Sequence, residues 1–457
     1  MFREFSIHKK TLNNPYKYQY LETLDLLNLK ISNYLIMQSK TTIDVTSEIG
    51  QLEAVILHTP GHEVENMTPS NAERALYSDI LNLSVASEEY RQLSGLLNKV
   101  TKTFQVKDLL VDVLQNSTIK HNLIQDICKN EFCESIADEL HQLPTSELAT
   151  KLIEGVELTK DTLTSYLSPE RYALRPLHNF FFTRDASASL YNRALISKMA
   201  NKVREREPLI MQTIFANSSF IEANPLAPVR DSNFYNDITI EGGDVIIARH
   251  DILVVGQSLR TSPQGIDFLA NHLKTLPGKR YLVVQQLPDA PESFIHLDMV
   301  FTLLDHDTCM IYEPVILHPN RLQTILMTID NGQIKKIENK ENLLQCLRSL
   351  GMDLNPLFCG GRKDLWIQER EQWHSGANFF AFAPGKVIGY ARNVNTMEEL
   401  NNHGYEIVDA DDIISNKTDV NSLKKCAVTI EGAELSRGGG GARCMTMPIK
   451  RKTTNFT

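Results

Sequence analysis

The feature that most constrains the fold of this chain is a recurrent order of apolar strands and short helices from Ile238 onward. Two strands in ITIEGGDVIIAR and ILVVGQ precede the helix SPQGIDFLANHLKTL and the strand YLVVQQL. HLDMVFTLL and TCMIYEPVIL repeat the strand pair, and the helix LLQCLRSLG, the hairpin NFFAFAPGKVIGYA and the strand EIVDA follow. Repetition at intervals of about 50 to 60 residues predicts a pseudo-repeated α/β architecture, with the chemistry where the repeats meet.

The sequence before this region has a different texture. LEAVILH, residues 52–58, is typical of a strand, and Thr-Pro-Gly ends it. From 86 to 170, Leu, Glu, Lys and Gln recur at helical spacing, interrupted at most by a strand over Phe104–Val111, which predicts a helical insertion. Patterned sequence begins only after residue 40, so we expect residues 1–40 to be a poorly ordered N-terminal extension.

Composition narrows the class of protein. Hydrophobic residues make up 42% and charged residues 23% of the 457, which is typical of a globular protein. The formal charge of −9 argues against nucleic acid and favours a small-molecule partner. No apolar run reaches the roughly 18 residues that cross a bilayer. No export signal stands before Met37, so we expect a cytoplasmic protein without membrane contact.

The seven cysteines predict reduced thiols, because their number is odd and no CxxC spacing suggests a disulfide framework or a zinc site. Cys444 stands apart, since it follows four consecutive glycines in SRGGGGARCMTMP. Glycines let a backbone come close to a ligand, and a thiol beside such a loop can meet a substrate. The alternatives are a buried cysteine on a strand ARCMTMP and a plain flexible loop.

A second candidate pair is His296 and Asp298 in IHLDMVFTLLD. Placed on a strand, residues two apart point to the same face. An imidazole and a carboxylate that project together suit acid–base work beside a cation. The alternative is a structural polar pair at the start of a strand.

Two further acidic segments are candidates. Glu241 and Asp244 belong to an acidic turn, IEGGD, that either faces a cleft or is an ordinary β-turn. Arg184 and Asp185 follow three phenylalanines in HNFFFTRD and either form a structural salt bridge or border a partly buried site. A buried carboxylate at such a border needs a cationic partner.

Together these segments resemble the arginine deiminases, a family of guanidine-modifying enzymes. The resemblance runs from about Leu52 to Pro448 and rests on eight segments in order. They are LHTPGHEVENMTPSN, HNFFFTRD, KVREREPL, IEGGD, VVGQSLRTSPQG, HLDMVFTLLD, CGGRKDLWIQEREQW and GGARCMTMP. It implies an α/β fold, a five-bladed αβ propeller with an inserted helical subdomain, in which residues 41–457 form the catalytic domain.

The resemblance also implies a role for each matching residue. Cys444 would be the nucleophile, His296 the general acid and base, and Glu241 its charge partner, while Asp185 and Asp298 would hold a guanidinium. The matching substrate-binding residues are Asn179, Phe182, Arg204, Arg260 and Asp244, with Asn179 and the two arginines at the α-carboxylate end. The implied reaction converts L-arginine to L-citrulline and ammonia through a covalent amidino thioether, without a metal or other cofactor.

Three positions depart from the pattern of many relatives. Gly439 stands where they carry an arginine near the substrate, so closure of the loop would rely on backbone contacts or on Arg437 or Arg443. Ala186 replaces a proline, and Leu259 replaces a glutamate. These departures leave the fine substrate preference open.

Two alternative functions stay open at this point. The first keeps the chemistry but changes the acceptor or substrate, as in an amidinotransferase or a hydrolase of agmatine or a modified arginine. The second is a non-catalytic arginine-binding paralogue, against which the complete Cys, His, Glu and two-Asp set argues. We expect L-arginine as the small-molecule partner and a homo-oligomeric state.

Overall fold

The computed structural model describes residues 40–68, 79–228 and 237–456. Contacts between Cα atoms separate residues 1–41 from 42–457, and the expected disorder of residues 1–40 lies outside the described residues except at Lys40. Within the described residues, no helix is both long and apolar enough to cross a membrane. The division into an extension, a catalytic domain and a helical insertion stays a prediction.

The secondary structure is mixed α/β, numbered here in chain order over the described residues. The helices are α1 His62–Glu65, α2 Leu83–Val100, α3 Val106–Leu114, α4 Ser117–Glu131, α5 Ala137–Gln142, α6 Thr145–Glu154, α7 Leu163–Leu167, α8 Thr183–Ala186, α9 Arg206–Asn217, α10 Pro263–Leu273, α11 Glu313–Ile316, α12 Leu343–Ser349, α13 Leu365–Trp373, α14 Val394–Asn402 and α15 Ala410–Ile414. The strands are β1 Thr41–Thr42, β2 Leu52–Leu57, β3 Lys102–Gln105, β4 Val156–Glu157, β5 Tyr172–Leu174, β6 Ser187–Leu190, β7 Arg193–Ile196, β8 Ile221–Glu222, β9 Pro225–Leu226, β10 Val245–Arg249, β11 Ile252–Gln257, β12 Arg280–Gln286, β13 Phe301–Leu303, β14 Thr308–Ile311, β15 Thr324–Asp330, β16 Gln333–Lys340, β17 Asn355–Phe358, β18 Phe380–Ala383, β19 Lys386–Tyr390, β20 Glu406–Asp409, β21 Cys426–Ile430 and β22 Met447–Arg451.

Five sheets of the described residues share one pairing pattern, in which an antiparallel pair is extended by a parallel strand. The orders are β22-β2-β3, β6-β7-β9, β10-β11-β12, β13-β14-β17 and β18-β19-β21. The third sheet continues into β15 and β16, and the fifth into β20. The predicted repetition of strand pairs is therefore confirmed.

The central strands are apolar on both faces because each face meets a separate core. Along β11, Leu253 and Val255 pack in one cluster with α10, whereas Ile252 and Val254 pack in another with β13 and β14. The predicted helix α10 begins as its sequence suggests, since the Ser262 side chain accepts from the Gly265 N–H and Pro263 follows the cap.

Two expectations for local structure were wrong. The strand proposed over Phe104–Val111 ends at Gln105, and the amphipathic run from Val106 forms α3 instead. The apolar run ITIE before the acidic turn was expected to be a strand. Within it only Ile240 pairs with another segment, through an isolated β-bridge to Lys198, so Glu241 does not end a regular strand.

Candidate active site

Cys444 lies in a stretch of turns between the glycine loop and β22, with 3% of its surface exposed. Asn378 holds this stretch: its side-chain oxygen accepts from the Arg443 N–H at 3.0 Å and from the Cys444 N–H at 3.2 Å. Its amide nitrogen donates to the Asp298 carbonyl at 3.1 Å. The alternative that placed Cys444 on a strand is wrong, because β22 begins only at Met447.

The glycine loop brings backbone close to other parts of the site. A Cβ on Gly440 would lie 2.4 Å from a ring carbon of Phe182, and one on Gly441 would lie 2.7 Å from Oδ1 of Asn378. Gly439 has a φ of +82°, and its Cβ position meets no described atom within 4 Å. Space therefore requires glycine at 440 and 441, whereas backbone conformation favours it at 439.

His296 and Asp298 do not lie on a strand, so the argument from strand alternation was wrong. His296 precedes a 3₁₀ turn, Leu297–Met299, and β13 begins at Phe301. The turn forms because the Asp244 carboxylate accepts the Leu297 N–H at 2.8 Å. Asp244 also accepts from Ser258 Oγ at 2.7 Å, which places this carboxylate behind His296.

The imidazole of His296 is 1% exposed, and its Nε2 lies 2.9 Å from Oε2 of Glu241. Burial alone would lower the pKa of His296, but Asp185, Glu241 and Asp244 together raise it to about 9. Burial would raise the pKa of Glu241, but His296 and Arg260 lower it to about 2. The pair is therefore an imidazolium beside a carboxylate at neutral pH.

Asp185 and Asp298 each accept a hydrogen bond from an arginine through one carboxylate oxygen. Oδ2 of Asp185 lies 2.8 Å from Nη1 of Arg204, and Oδ2 of Asp298 lies 2.7 Å from Nη1 of Arg443. Both carboxylates are at most 3% exposed. The second oxygen of each, Oδ1, has no hydrogen-bond partner within the described part of the chain.

The carboxylate of Asp298 lies beside the cysteine, and His296 lies beside the unpartnered oxygen of Asp185. Sγ of Cys444 lies 3.8 Å from Oδ2 of Asp298, and Nδ1 of His296 lies 3.7 Å from Oδ1 of Asp185. Nδ1 of His296 is also without a hydrogen-bond partner among the residues described. Burial, Asp298 and Asp185 raise the pKa of Cys444 well above its usual range, which favours the neutral thiol over the thiolate.

A small cavity of about 20 Å³ collects most of the predicted residues. It is lined by Asn179, Phe182, Asp185, Arg204, Arg260, Ile295, His296, Gly438, Gly439, Gly440 and Cys444. Glu241 and Asp244 lie behind His296, and Asp298 lies beside the sulfur without lining the cavity. Among the described residues, no group of three or more His, Cys, Asp or Glu side chains is placed to hold a metal.

Arg204 and Arg260, the two arginines predicted to bind the α-carboxylate, differ in how many of their N–H groups are already hydrogen-bonded. Arg204 is held by Glu207 at 2.8 to 3.1 Å as well as by Asp185. Arg260 lies 3.8 Å from Glu241, and its Nη1 has no hydrogen-bond partner in the described ranges. Arg260 also lines an adjoining cavity of about 50 Å³, so its guanidinium is the one placed to meet an entering ligand.

The two loop arginines considered in place of an arginine at 439, Arg437 and Arg443, both form ion pairs with carboxylates. Arg437 pairs with Asp79 and with Glu434. Arg443 is 2% exposed and is held by Glu48 at 3.0 and 3.1 Å in addition to Asp298. In this structure neither side chain lines the catalytic cavity.

Sequence reasoning missed Glu48 and Asn378, and it considered Arg443 only as a mobile loop residue. Burial would raise the pKa of Glu48, but Arg443 and Arg184 lower it to about 2. No local signal marks Glu48 or Asn378, because their partners are distant in the chain. The only signal for Arg443 is its place directly before the cysteine.

The fold and the site together define a mixed α/β protein with a cysteine, a histidine and paired carboxylates in one buried centre. The model of the arginine deiminase family matches residues 73–451. Arginine deiminase of Bacillus thuringiensis subsp. konkukian is 33% identical over 436 residues, which cover 90% of this chain and 99% of the relative. That of Oenococcus oeni is 30% identical over 435 residues, covering 91% and 99%. The chain belongs to the arginine deiminase family.

One solved structure illustrates the more distant similarities. It is the substrate-bound N-terminal domain of ArgZ, an arginine dihydrolase in cyanobacteria, which is 14% identical with a TM-score of 0.49. The match covers 87% of this chain and 98% of that chain. Nothing about activity follows from a likeness at this level.

Proposed function

We propose that the chain hydrolyses L-arginine to L-citrulline and ammonia, with Cys444 as the nucleophile. The observation that carries this proposal is the pair of buried, unpartnered carboxylate oxygens, on Asp185 and Asp298, beside a buried thiol. A guanidinium is planar and cationic and presents N–H groups in a fork that carboxylates accept. Membership of the arginine deiminase family supports the same substrate.

The charges around Cys444 support a cationic substrate. Partner-free oxygens of two buried carboxylates are costly, and a guanidinium between them removes that cost. The same positive charge lowers the pKa of Cys444, which the carboxylates raise in its absence. A guanidinium bound there would therefore favour loss of the Cys444 proton to solvent, since His296 is already protonated, and the resulting thiolate would attack it.

In the first half of the reaction, the Cys444 thiolate attacks the guanidinium carbon and forms a C–S bond. The tetrahedral adduct collapses with cleavage of a terminal C–N bond. His296, protonated below its pKa of about 9, gives a proton to the departing ammonia. The product of this half is an amidino thioether on Cys444.

In the second half, His296 accepts a proton from a water that attacks the same carbon. The hydroxyl proton of the second tetrahedral adduct moves to the sulfur as the C–S bond breaks, which releases L-citrulline and returns Cys444 as the thiol. Glu241 keeps its charge throughout and stabilises the imidazolium each time it forms, as its pKa of about 2 indicates. Arg260 would meet the α-carboxylate together with Asn179, whereas Arg204 is held by Asp185 and Glu207. Phe182 would lie beside the substrate.

We also propose that the five sheets form the blades of a five-bladed αβ propeller with the site at its centre. The shared pairing pattern supports this arrangement, as does the contribution of several sheets' loops to the site. A cytoplasmic location and a homo-oligomeric state stay predictions from the sequence.

The test is a citrulline assay on purified protein with L-arginine and agmatine, followed by mass spectrometry of acid-quenched enzyme. We expect citrulline from L-arginine, an adduct on Cys444, and no turnover in Cys444→Ser. Cys426→Ser, at another buried thiol, is the matched control and should keep full activity. An adduct on a different cysteine, or turnover by Cys444→Ser, would contradict the proposal.

A further inference from the structure

A second and larger cavity, of about 180 Å³, lies between the end of α4 and the start of α9. Its charged lining has both signs, with Glu131, Arg175, Lys202, Glu205, Arg206 and Glu207 among the residues at its wall. The proposed reaction uses none of these charged side chains, although Asn179 lines both this cavity and the catalytic one. The volume is that of a small organic molecule rather than of a few waters.

Arg206 is the unusual member of this lining. Its side chain is 1% exposed, yet Nε and Nη1 have no hydrogen-bond partner among the described residues. Nη2 donates to the carbonyl of Arg175, and Nε lies 3.8 Å from Oε1 of Glu131, so both neighbours are also cavity residues. Burial lowers the pKa of Arg206, because Glu131 compensates its charge only partly.

We propose that this cavity is a second small-molecule site, which binds a carboxylate-bearing molecule of amino-acid size with its carboxylate on Arg206. The unused N–H groups of a buried guanidinium call for an anionic acceptor. Arg206 is also the first residue of the 12-residue helix α9, whose N-terminal dipole favours the same charge. Glu131 and Glu205 on the other walls suit the ammonium group of an amino acid.

This second site is connected to the catalytic one. Glu207 lines the cavity and also holds Arg204, which in turn holds the catalytic carboxylate Asp185 at 2.8 Å. Burial raises the pKa of Glu207, so its charge depends on Arg204 and is sensitive to a further anion nearby. A bound carboxylate would therefore shift the Arg204–Asp185 contact and with it the affinity for the guanidinium.

The test measures binding stoichiometry by calorimetry on the Cys444→Ser protein, with L-arginine, L-citrulline, L-ornithine and inorganic phosphate as probes. At least one amino acid should bind at two sites per chain. Adding Arg206→Gln should remove one site, and adding Arg260→Ala should remove the other. Arg171→Gln, an exposed arginine paired with Glu157, is the matched control and should leave both.

A surface variant guards against a folding defect in Arg206→Gln. Lys202 is exposed at the cavity wall, so Lys202→Glu should fold normally and weaken the second site by about tenfold through repulsion of the carboxylate. No Arg206-dependent binding of any probe would overturn the proposal. Phosphate binding at Arg206 without binding of any amino acid would overturn the carboxylate assignment.

Discussion

At the scale of single residues, the two carboxylates that we propose to bind the guanidinium are held in the same way. In each case one arginine is shared between the aspartate and a buried glutamate, which leaves one aspartate oxygen unpaired. The two sets are Asp185 with Arg204 and Glu207, and Asp298 with Arg443 and Glu48. The shared arginine therefore determines which oxygen of each aspartate is engaged and which has no hydrogen-bond partner among the described residues.

This construction predicts the effect of Asp185→Asn and Asp298→Asn. Removing one charge from a buried pair typically costs about 3–5 kcal/mol, so turnover should fall by orders of magnitude in both variants. Steady-state kinetics and thermal unfolding would measure the two effects. Asp305→Asn, at a buried carboxylate that is paired with Lys425 and does not line the catalytic cavity, is the control and should keep its activity. Near-normal turnover in either variant would show that the guanidinium is not bound by these two carboxylates.

The imidazolium of His296 predicts the pH dependence of catalysis. Its proton goes to the departing ammonia, so activity should be retained below a pKa of about 9 and fall as the pH rises through it. Glu241→Gln removes a negative charge that raises this pKa, and the alkaline limb should therefore move to lower pH. Rate–pH profiles at saturating L-arginine would measure this shift. An unmoved limb in Glu241→Gln would contradict the assigned roles.

The sequence was sufficient for residues whose neighbours in the chain mark them. Cys444 and Asp185 each sit in a distinctive segment, and the structure brings both to one cavity. It was not sufficient for Glu48, which meets Arg443 across 395 positions of sequence. Contacts of that range depend on how sheets pack, which no local pattern reports.

At the scale of elements, the glycine loop yields a contrast between adjacent positions. Gly440→Ala would place a methyl group 2.4 Å from Phe182 and should disturb the catalytic cavity, with a large loss of turnover. Gly439→Ala faces open space but keeps an unfavourable φ of +82°, so it should cost about 1–2 kcal/mol of stability with most activity retained. Kinetics and denaturant unfolding of both variants would test this. Equal effects would contradict it.

Strands and helices were predicted well where the hydrophobic periodicity was strong. They were predicted poorly where a side chain, instead of another backbone group, forms the hydrogen bond to the backbone. The strand Ile252–Gln257 and the helix Pro263–Leu273 appear where their patterns predict them. The segment around His296 has the composition of a strand. It forms a 3₁₀ turn instead, because the carboxylate of Asp244 accepts the N–H of Leu297. The sequence does not reveal this hydrogen bond, because Asp244 and Leu297 become neighbours only in the folded protein.

At the scale of the whole molecule, the site is assembled from both sides of the β15–β16 hairpin. Asn331 and Gly332 form its exposed tip, and β2–β22 joins the two sides a second time. Cleavage at a protease site inserted between Asn331 and Gly332 should therefore leave the halves associated and active. A citrulline assay before and after cleavage, with size exclusion, would measure this. Loss of activity in a nicked protein that stays associated would contradict it.

The same division has a use beyond this protein. One half carries Asp185 and His296 and the other carries Asn378 and Cys444, so by our assignment neither holds a complete catalytic set. Once the two halves are produced as separate polypeptides, colour from released citrulline would report that they had reassembled. The activity would then serve as a measure of how fast two separate chains find each other, since neither half alone could produce the signal.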